Sequence, residues 1–286
     1  MSTAHAAVWA APLLSAALLG AGVYATAVID AATARRVAGA GPSGSVLLEP
    51  FRRASVVAVQ EPSATERPDV ITWMLAPALY LALAAAGLAV IPWSPTFAIA
   101  DVRAGIVVWG TVESLVVVAI FLHGWSANSH QPLLAAYRFL AAGLSYLLLS
   151  MFVLIAAAVP AQSLAVSDIV ASQHGLWNVV RQPLGLPLFL IVALGSATWG
   201  PLDLADGEDL AGGTTAEVSG MPLLVWRAAR AAMLTSFAAM AATVFLGGWQ
   251  GPWLPGPVWV AAKTLLVLTV LVAAGHRFAR VRAERF

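Results

Sequence analysis

Seven stretches of this chain are too long and too apolar to be wetted. A helix needs about 20 mostly apolar residues to cross the hydrocarbon core of a bilayer. Runs of that kind lie near 7–29, 70–92, 104–123, 134–159, 183–199, 223–246 and 257–277, the fifth being the shortest. Of 286 residues, 60% are hydrophobic and 10% charged, where a soluble domain carries about 25% charge. That balance excludes a soluble cytosolic enzyme, a disordered chain and a nucleic-acid binder. The expected fold is all-α, a polytopic membrane helical bundle of about seven transmembrane helices forming a single membrane domain over 1–286. The absence of cysteine excludes disulfides, thiolate catalysis and any iron–sulfur or zinc-thiolate site held by this chain.

The first span, within 1–29, runs into small residues at Tyr24-Ala25-Thr26-Ala27, as a signal peptide would. It lacks the usual Lys/Arg start, and further spans follow, so a retained span is expected. Basic residues then set the orientation. Arg35, Arg36, Arg52, Arg53 and Arg67 lie between spans one and two; Arg138 begins span four, Arg227 and Arg230 begin span six, and Arg277, Arg280, Arg282 and Arg285 follow span seven. The other side holds Arg103 and Arg181, with Lys263 inside span seven. By the positive-inside rule, the N-terminus is expected outside and the C-terminus in the cytoplasm of a bacterial inner membrane. In the cytoplasmic segment 30–69, the stretch Val46 to Val57 has the pattern of an amphipathic helix along the surface.

Three features invite a chemical reading. The loop 200–222 holds Asp203, Asp206, Glu208, Asp209 and Glu217. Carboxylates this close repel one another unless something binds or protonates them; the plain alternative is a solvated loop. Glu113 falls midway along span three, where a carboxylate must be paired, protonated or in a wet cavity. Lys263, the only lysine, would neutralise it if they met. Otherwise Lys263 reaches for the interface and Glu113 sits neutral in the bundle. Finally, the turn His123 to His130 carries two histidines without the spacing of a metal site, so a polar connection is expected there and no metal.

The ordered motifs resemble one family: the quinone-chamber membrane subunit of respiratory complex I, the H-type subunit of NADH-quinone oxidoreductase. Gly124-Trp125-Ser126-Ala127-Asn128, Arg138 and Ser145-Tyr146 match one family pattern. Asp168-Ile169-Val170, Ser172-Gln173 and Trp177-Asn178 match its outer loop. Pro201-Leu202-Asp203-Leu204-Ala205-Asp206-Gly207-Glu208 and Glu217-Val218-Ser219-Gly220 match its acidic loop. Gly247 to Pro252, Lys263-Thr264, Leu75-Ala76-Pro77 and Ile91 to Pro95 extend the likeness, which covers a core of 70–286.

The resemblance implies a place in the membrane arm, beside iron–sulfur and quinone-site subunits of a hydrophilic arm and other membrane-arm subunits. It implies quinone (ubiquinone or menaquinone) as substrate and proton translocation linked to its reduction. On that reading Asp203, Asp206, Glu208 and Glu217 carry proton coupling, Arg138 supports the chamber electrostatically, and Glu113 and Lys263 are intramembrane charges. The chain departs from the family in several acids. Leu147 stands where a glutamate follows the Ser-Tyr pair, Ser196 and Trp199 where a glutamate and an arginine precede the acidic loop, and Arg230 where span six carries a glutamate. The alternatives are the membrane subunit of a related energy-converting hydrogenase, a structural subunit that has lost proton coupling, and, from another class, an independent transporter.

Overall fold

The computed structural model describes residues 4–5, 10–39, 41, 44–63, 65, 67–207 and 211–281. Among the described residues, helices α1 (Ala10–Val37), α3 (Val70–Ala89), α4 (Gly105–Ser126), α5 (His130–Ala158), α9 (Gly220–Phe245) and α10 (Gly256–Arg277) are the six long and apolar enough to cross a membrane. The expected all-α bundle is present. The surface helix predicted over 46–57 is α2 (Glu49–Val59), which carries Pro50 in its first turn and packs against α1 and α9.

The fifth predicted span, over 183–199, is a correction. Its helix, α8 (Gly185–Ser196), has 12 residues, about 18 Å of rise, well short of the bilayer core. Gly185 and Pro187 fall in its first turn and Gly195-Ser196 close it, after which Thr198 and Gly200 take left-handed φ of 47° and 63°. The chain still passes from one end of the bundle to the other here. Before α8, Asn178 Nδ2 donates to Ala157 and Val244 carbonyls at the ends of α5 and α9. After it, the Pro201 carbonyl accepts from Val281 N, beyond the end of α10.

The bundle is organised around α9, buried without a break from Ala231 to Phe245. Its small side chains let α1, α3, α8 and α10 approach closely. At the crossing with α1, a Cβ on Gly22 would collide with Thr235, and the Thr26 and Thr235 hydroxyls lie 3.3 Å apart. Helix α4 lies between α3 and α5.

The two ends are built differently. At one, called here the acidic end, the segment after α2, the α4–α5 turn, the loop 197–219 and the tail after α10 meet: Thr65 Oγ1 donates to the Ala127 carbonyl, Asn128 Nδ2 to the Arg67 carbonyl and Ser219 Oγ to the Glu61 carbonyl. At the opposite end, β2 (Pro92–Ser94) and β3 (Phe97–Ala98) form a small hairpin joined in parallel by β1 (Ala4–His5). Short helices α6 (Val166–Ala171) and α7 (Asn178–Arg181) replace the loop expected over 160–182. There Gln173 donates to the Ile169 and Thr243 carbonyls and accepts from Asn178 N and Gly247 N. One further boundary moved: α4 continues through Ser126, so the turn expected over 123–130 shrinks to Ala127-Asn128-Ser129.

Candidate functional site

The acidic loop folds back on itself. Pro201 opens a tight turn over Gly200–Leu202, and the Asp203 carboxylate accepts from Asp206 N at 3.0 Å, an Asx turn that sets the two acids side by side. Gly213 takes φ 58°, and a Cβ there would run into the Ala205 carbonyl. That close approach delivers Thr214, whose hydroxyl donates a short hydrogen bond to Asp206.

Both carboxylates are buried, and one cation answers them. Arg230, in the third turn of α9, donates from Nη2 to Asp203 at 2.9 Å and from Nη1 to Asp206 at 2.8 Å. Arg280 adds a longer contact to Asp203 at 3.4 Å, and Trp226 Nε1 donates to Asp206 at 3.3 Å. Trp226 is in turn sandwiched by aromatic neighbours, His123 stacked at 3.6 Å and Tyr80 at 5.3 Å between ring centres. Burial pushes the Asp203 carboxyl up to about 6, a rise Arg230 opposes and Asp206 reinforces. A group poised there changes protonation when a nearby charge changes.

This cluster opens onto a cavity of about 770 Å³ between α1, α2, α9, α10 and the 199–203 turn. Its walls include the apolar side chains of Val23, Phe51, Val57 and Leu224, and Asp203, Arg230 and Arg280 line one side. Another polar group lines it from α1 and α10: Asp30 Oδ1 lies 2.8 Å from His276 Nε2, and Asp30 Oδ2 lies 3.4 Å from Arg53 on α2. A second cavity, about 650 Å³ between α4 and α5, is lined without a single charged side chain. Of these two, the first offers an apolar slot with titratable groups at its side, the form suited to an amphipathic ring compound.

The predicted site residues are distributed unevenly. Asp203 and Asp206 come together. Glu217 stands apart, accepting from Ser129 Oγ at 3.2 Å beside the α4–α5 turn. Glu208 and Asp209 lie outside the described residues. Arg138 is half-buried on α5, while the basic side chains bonded to the aspartates are Arg230 and Arg280. The Glu113–Lys263 pair is not formed. Glu113 accepts from Ser150 Oγ at 2.6 Å. Lys263 donates to the Gly248 and Gln250 carbonyls at 2.9 and 2.6 Å, with its ammonium 4.5 Å from the Trp177 ring centre. Each found a nearer partner: α4 packs on α3 and α5, whereas α10 packs on α9 and α1. Among the described residues no three His, Asp or Glu converge as metal ligands.

In the sequence Arg230 stands at the start of span six, where the family carries a glutamate, and its part as counter-charge to Asp203 and Asp206 does not show there. A signal was available. A guanidinium ten residues into α9 needs a buried counter-charge, and the preceding loop supplies the nearest acids. The Asp30–His276 contact joins residues 246 apart and had no local signal.

Comparison with known proteins agrees with the motifs. A family model described as NADH dehydrogenase matches residues 6–286. An H-type subunit of NADH-quinone oxidoreductase from Geobacter metallireducens is 34% identical over 235 residues, 79% of this chain and 71% of the relative. Its counterpart in Rhodopseudomonas palustris strain HaA2 is 34% identical over 205 residues, 71% of this chain and 64% of the relative. The one in Geobacillus kaustophilus is 33% identical over 229 residues, 78% of this chain and 68% of the relative. The matched stretches therefore span between 64% and 71% of these relatives' length. With its ordered motifs, its membrane bundle and a family match over nearly its whole length, the chain belongs to the NADH dehydrogenase family of membrane subunits, with H-type subunits of NADH-quinone oxidoreductase among its relatives.

Proposed function

We propose that this chain is the quinone-chamber subunit of a proton-translocating NADH:quinone oxidoreductase and acts only within that assembly. The observation that carries the reading is the buried Asp203–Arg230 pair on the wall of the 770 Å³ cavity. Quinone is the substrate, and the electrons come from an iron–sulfur cluster of a neighbouring subunit. Reduction takes two electrons and two protons per quinone, so negative charge builds beside the cavity wall before protonation is complete. That charge raises the proton affinity of Asp203 and draws a proton onto it. Once the quinone is protonated to neutral quinol, the affinity falls and the proton moves on. Arg230 holds the pair in place and keeps it from retaining a proton permanently.

The assembly has the acidic end facing the cytoplasm and the hydrophilic arm, because the arginines concentrate there. The exposed apolar residues Phe51, Val56 and Val59 of α2 bed that helix in the interface. The test is the native complex purified through this chain and reconstituted in vesicles. Iron–sulfur subunits co-purify, and Asp203→Asn lowers NADH:quinone turnover at least about tenfold, the scale of losing a positioned proton-transfer group. A chain isolated without electron-carrying partners, or an Asp203→Asn complex with parental turnover and pumping, would overturn the proposal.

A further inference from the structure

The cavity beside Asp203 has a charge balance that a neutral ring compound leaves incomplete. Arg53, Arg227, Arg230 and Arg280 all line it. Arg53 is paired with Asp30 and Glu49, Arg230 with Asp203 and Asp206, and Arg280 with Asp203. Arg227 alone of the four makes no hydrogen bond or ion pair among the described residues. It lies seven residues past Gly220, the first residue of α9, and so about 10 Å along that helix. A guanidinium at that depth of a spanning helix is costly without an anion beside it. The described residues bring it none, so the anion comes from outside the chain.

The shape of the cavity narrows the choice. Its α1 wall runs from Gly20 to Asp30, about 15 Å of helix, or half of the ~30 Å hydrocarbon core. Helices α1 and α9 cross where Gly22 and Thr26 meet Thr235. They run antiparallel there, so Asp30 and Arg227 lie on the acidic-end side of the crossing and Gly20 on the mid-bilayer side. The cavity therefore has a charged mouth and an apolar floor one leaflet deep. Between them Tyr24 and Phe51, 5.5 Å apart between ring centres, line the wall.

An amphiphile with an anionic head and a chain one leaflet long matches both features. A guanidinium binds a phosphate through two parallel N–H donors. A zwitterionic lipid carries its own cation and leaves the charge of Arg227 unbalanced, and a free phosphate leaves the apolar length empty. We propose that the mouth of this cavity binds one phospholipid of net negative charge, its phosphate on Arg227 and an acyl chain along α1 toward Gly20. The lipid and a quinone meet the wall at different places: the quinone ring at Asp203 on the 199–203 turn, the phosphate at Arg227 on α9, one turn nearer the mouth than Arg230.

The test takes the native complex purified through this chain and equilibrates it with vesicles of phosphatidylcholine containing a minor share of phosphatidylglycerol. After a detergent wash, retained lipid is counted per complex by mass spectrometry. The parent keeps phosphatidylglycerol in preference to phosphatidylcholine. Arg227→Gln lowers the phosphatidylglycerol held at this site about fivefold, the factor one arginine adds beside an anionic headgroup, and Arg227→Lys, which keeps the charge, loses less. Gly20→Leu supplies a second variant that leaves every charge in place. A Cβ on Gly20 meets nothing within 4 Å, so leucine fits the helix, fills the floor of the slot and lowers retention as well. Inorganic phosphate added to the wash releases none of the lipid. Equal retention of phosphatidylglycerol in the parent and Arg227→Gln, equal retention of the two lipids by the parent, or release by inorganic phosphate overturns the inference. Retention is measured without NADH or quinone. A silent Asp203→Asn would therefore sink the chamber reading and leave this site standing, while unchanged retention in Arg227→Gln would do the reverse.

Discussion

The two ends of this bundle solve the same problem with different chemistry. At the opposite end from the acids, Gln173, Asn178 and Lys263 are satisfied mainly by backbone carbonyls and amides. Their partners cannot change protonation, so this end is a fixed brace. At the acidic end, Asp203, Asp206 and Arg230 are satisfied largely by one another beside an open cavity. There a single proton changes the balance of the whole group. Low-dielectric surroundings raise the stakes at both ends, but only at the acidic end does the arrangement have two states.

The largest effect is expected from Arg230→Leu, which strands two buried carboxylates. Loss of one partner from such a set costs about 3–5 kcal/mol, so little assembled complex should be recovered from membranes. Adding Asp203→Asn and Asp206→Asn, with Arg230→Met, removes all the charge and should restore much of the assembly without the coupled activity. Recovery of activity as well would show that both ends are braces. Next comes Gln173→Leu, which leaves backbone groups unpaired at about 1–3 kcal/mol each. Thermal stability of the complex should fall while turnover per assembled complex holds; a selective loss of turnover would erase the contrast. The smallest effect belongs to Glu217→Gln. The amide oxygen can still accept from Ser129, so stability should change by less than about 0.5 kcal/mol, and protons moved per NADH should equal the parental value. A large pumping defect there would extend the two-state region toward the α4–α5 turn.

Much of this architecture is legible in the chain because lipid leaves few options. The apolar runs mark α3, α4, α9 and α10 nearly to their ends, and the amphipathic pattern before Pro62 marks α2. Helix α8 was harder, since apolar residues continue past the glycines and prolines that break the helix, and hydropathy does not register backbone geometry. The acidic cluster was legible as two aspartates three residues apart. Its cation was not: Arg230 is 27 residues from Asp203, and whether it faces the loop depends on how α9 rotates within the bundle. Glu113 was visible as an anomaly, but the choice between Lys263 and Ser150 rested on which helices are neighbours, and a single chain does not display that.

The central claim is that Asp203 senses charge arriving in the cavity. It is tested most directly by quinone-reduction-induced infrared spectra of the assembled complex, recorded across pH for the parent and for Asp203→Asn. The account predicts a carboxyl C=O signal that titrates near the value of about 6 set by burial, present as the protonated acid below it and lost above it, and absent in the variant. A parental signal that persists unchanged in Asp203→Asn would contradict it.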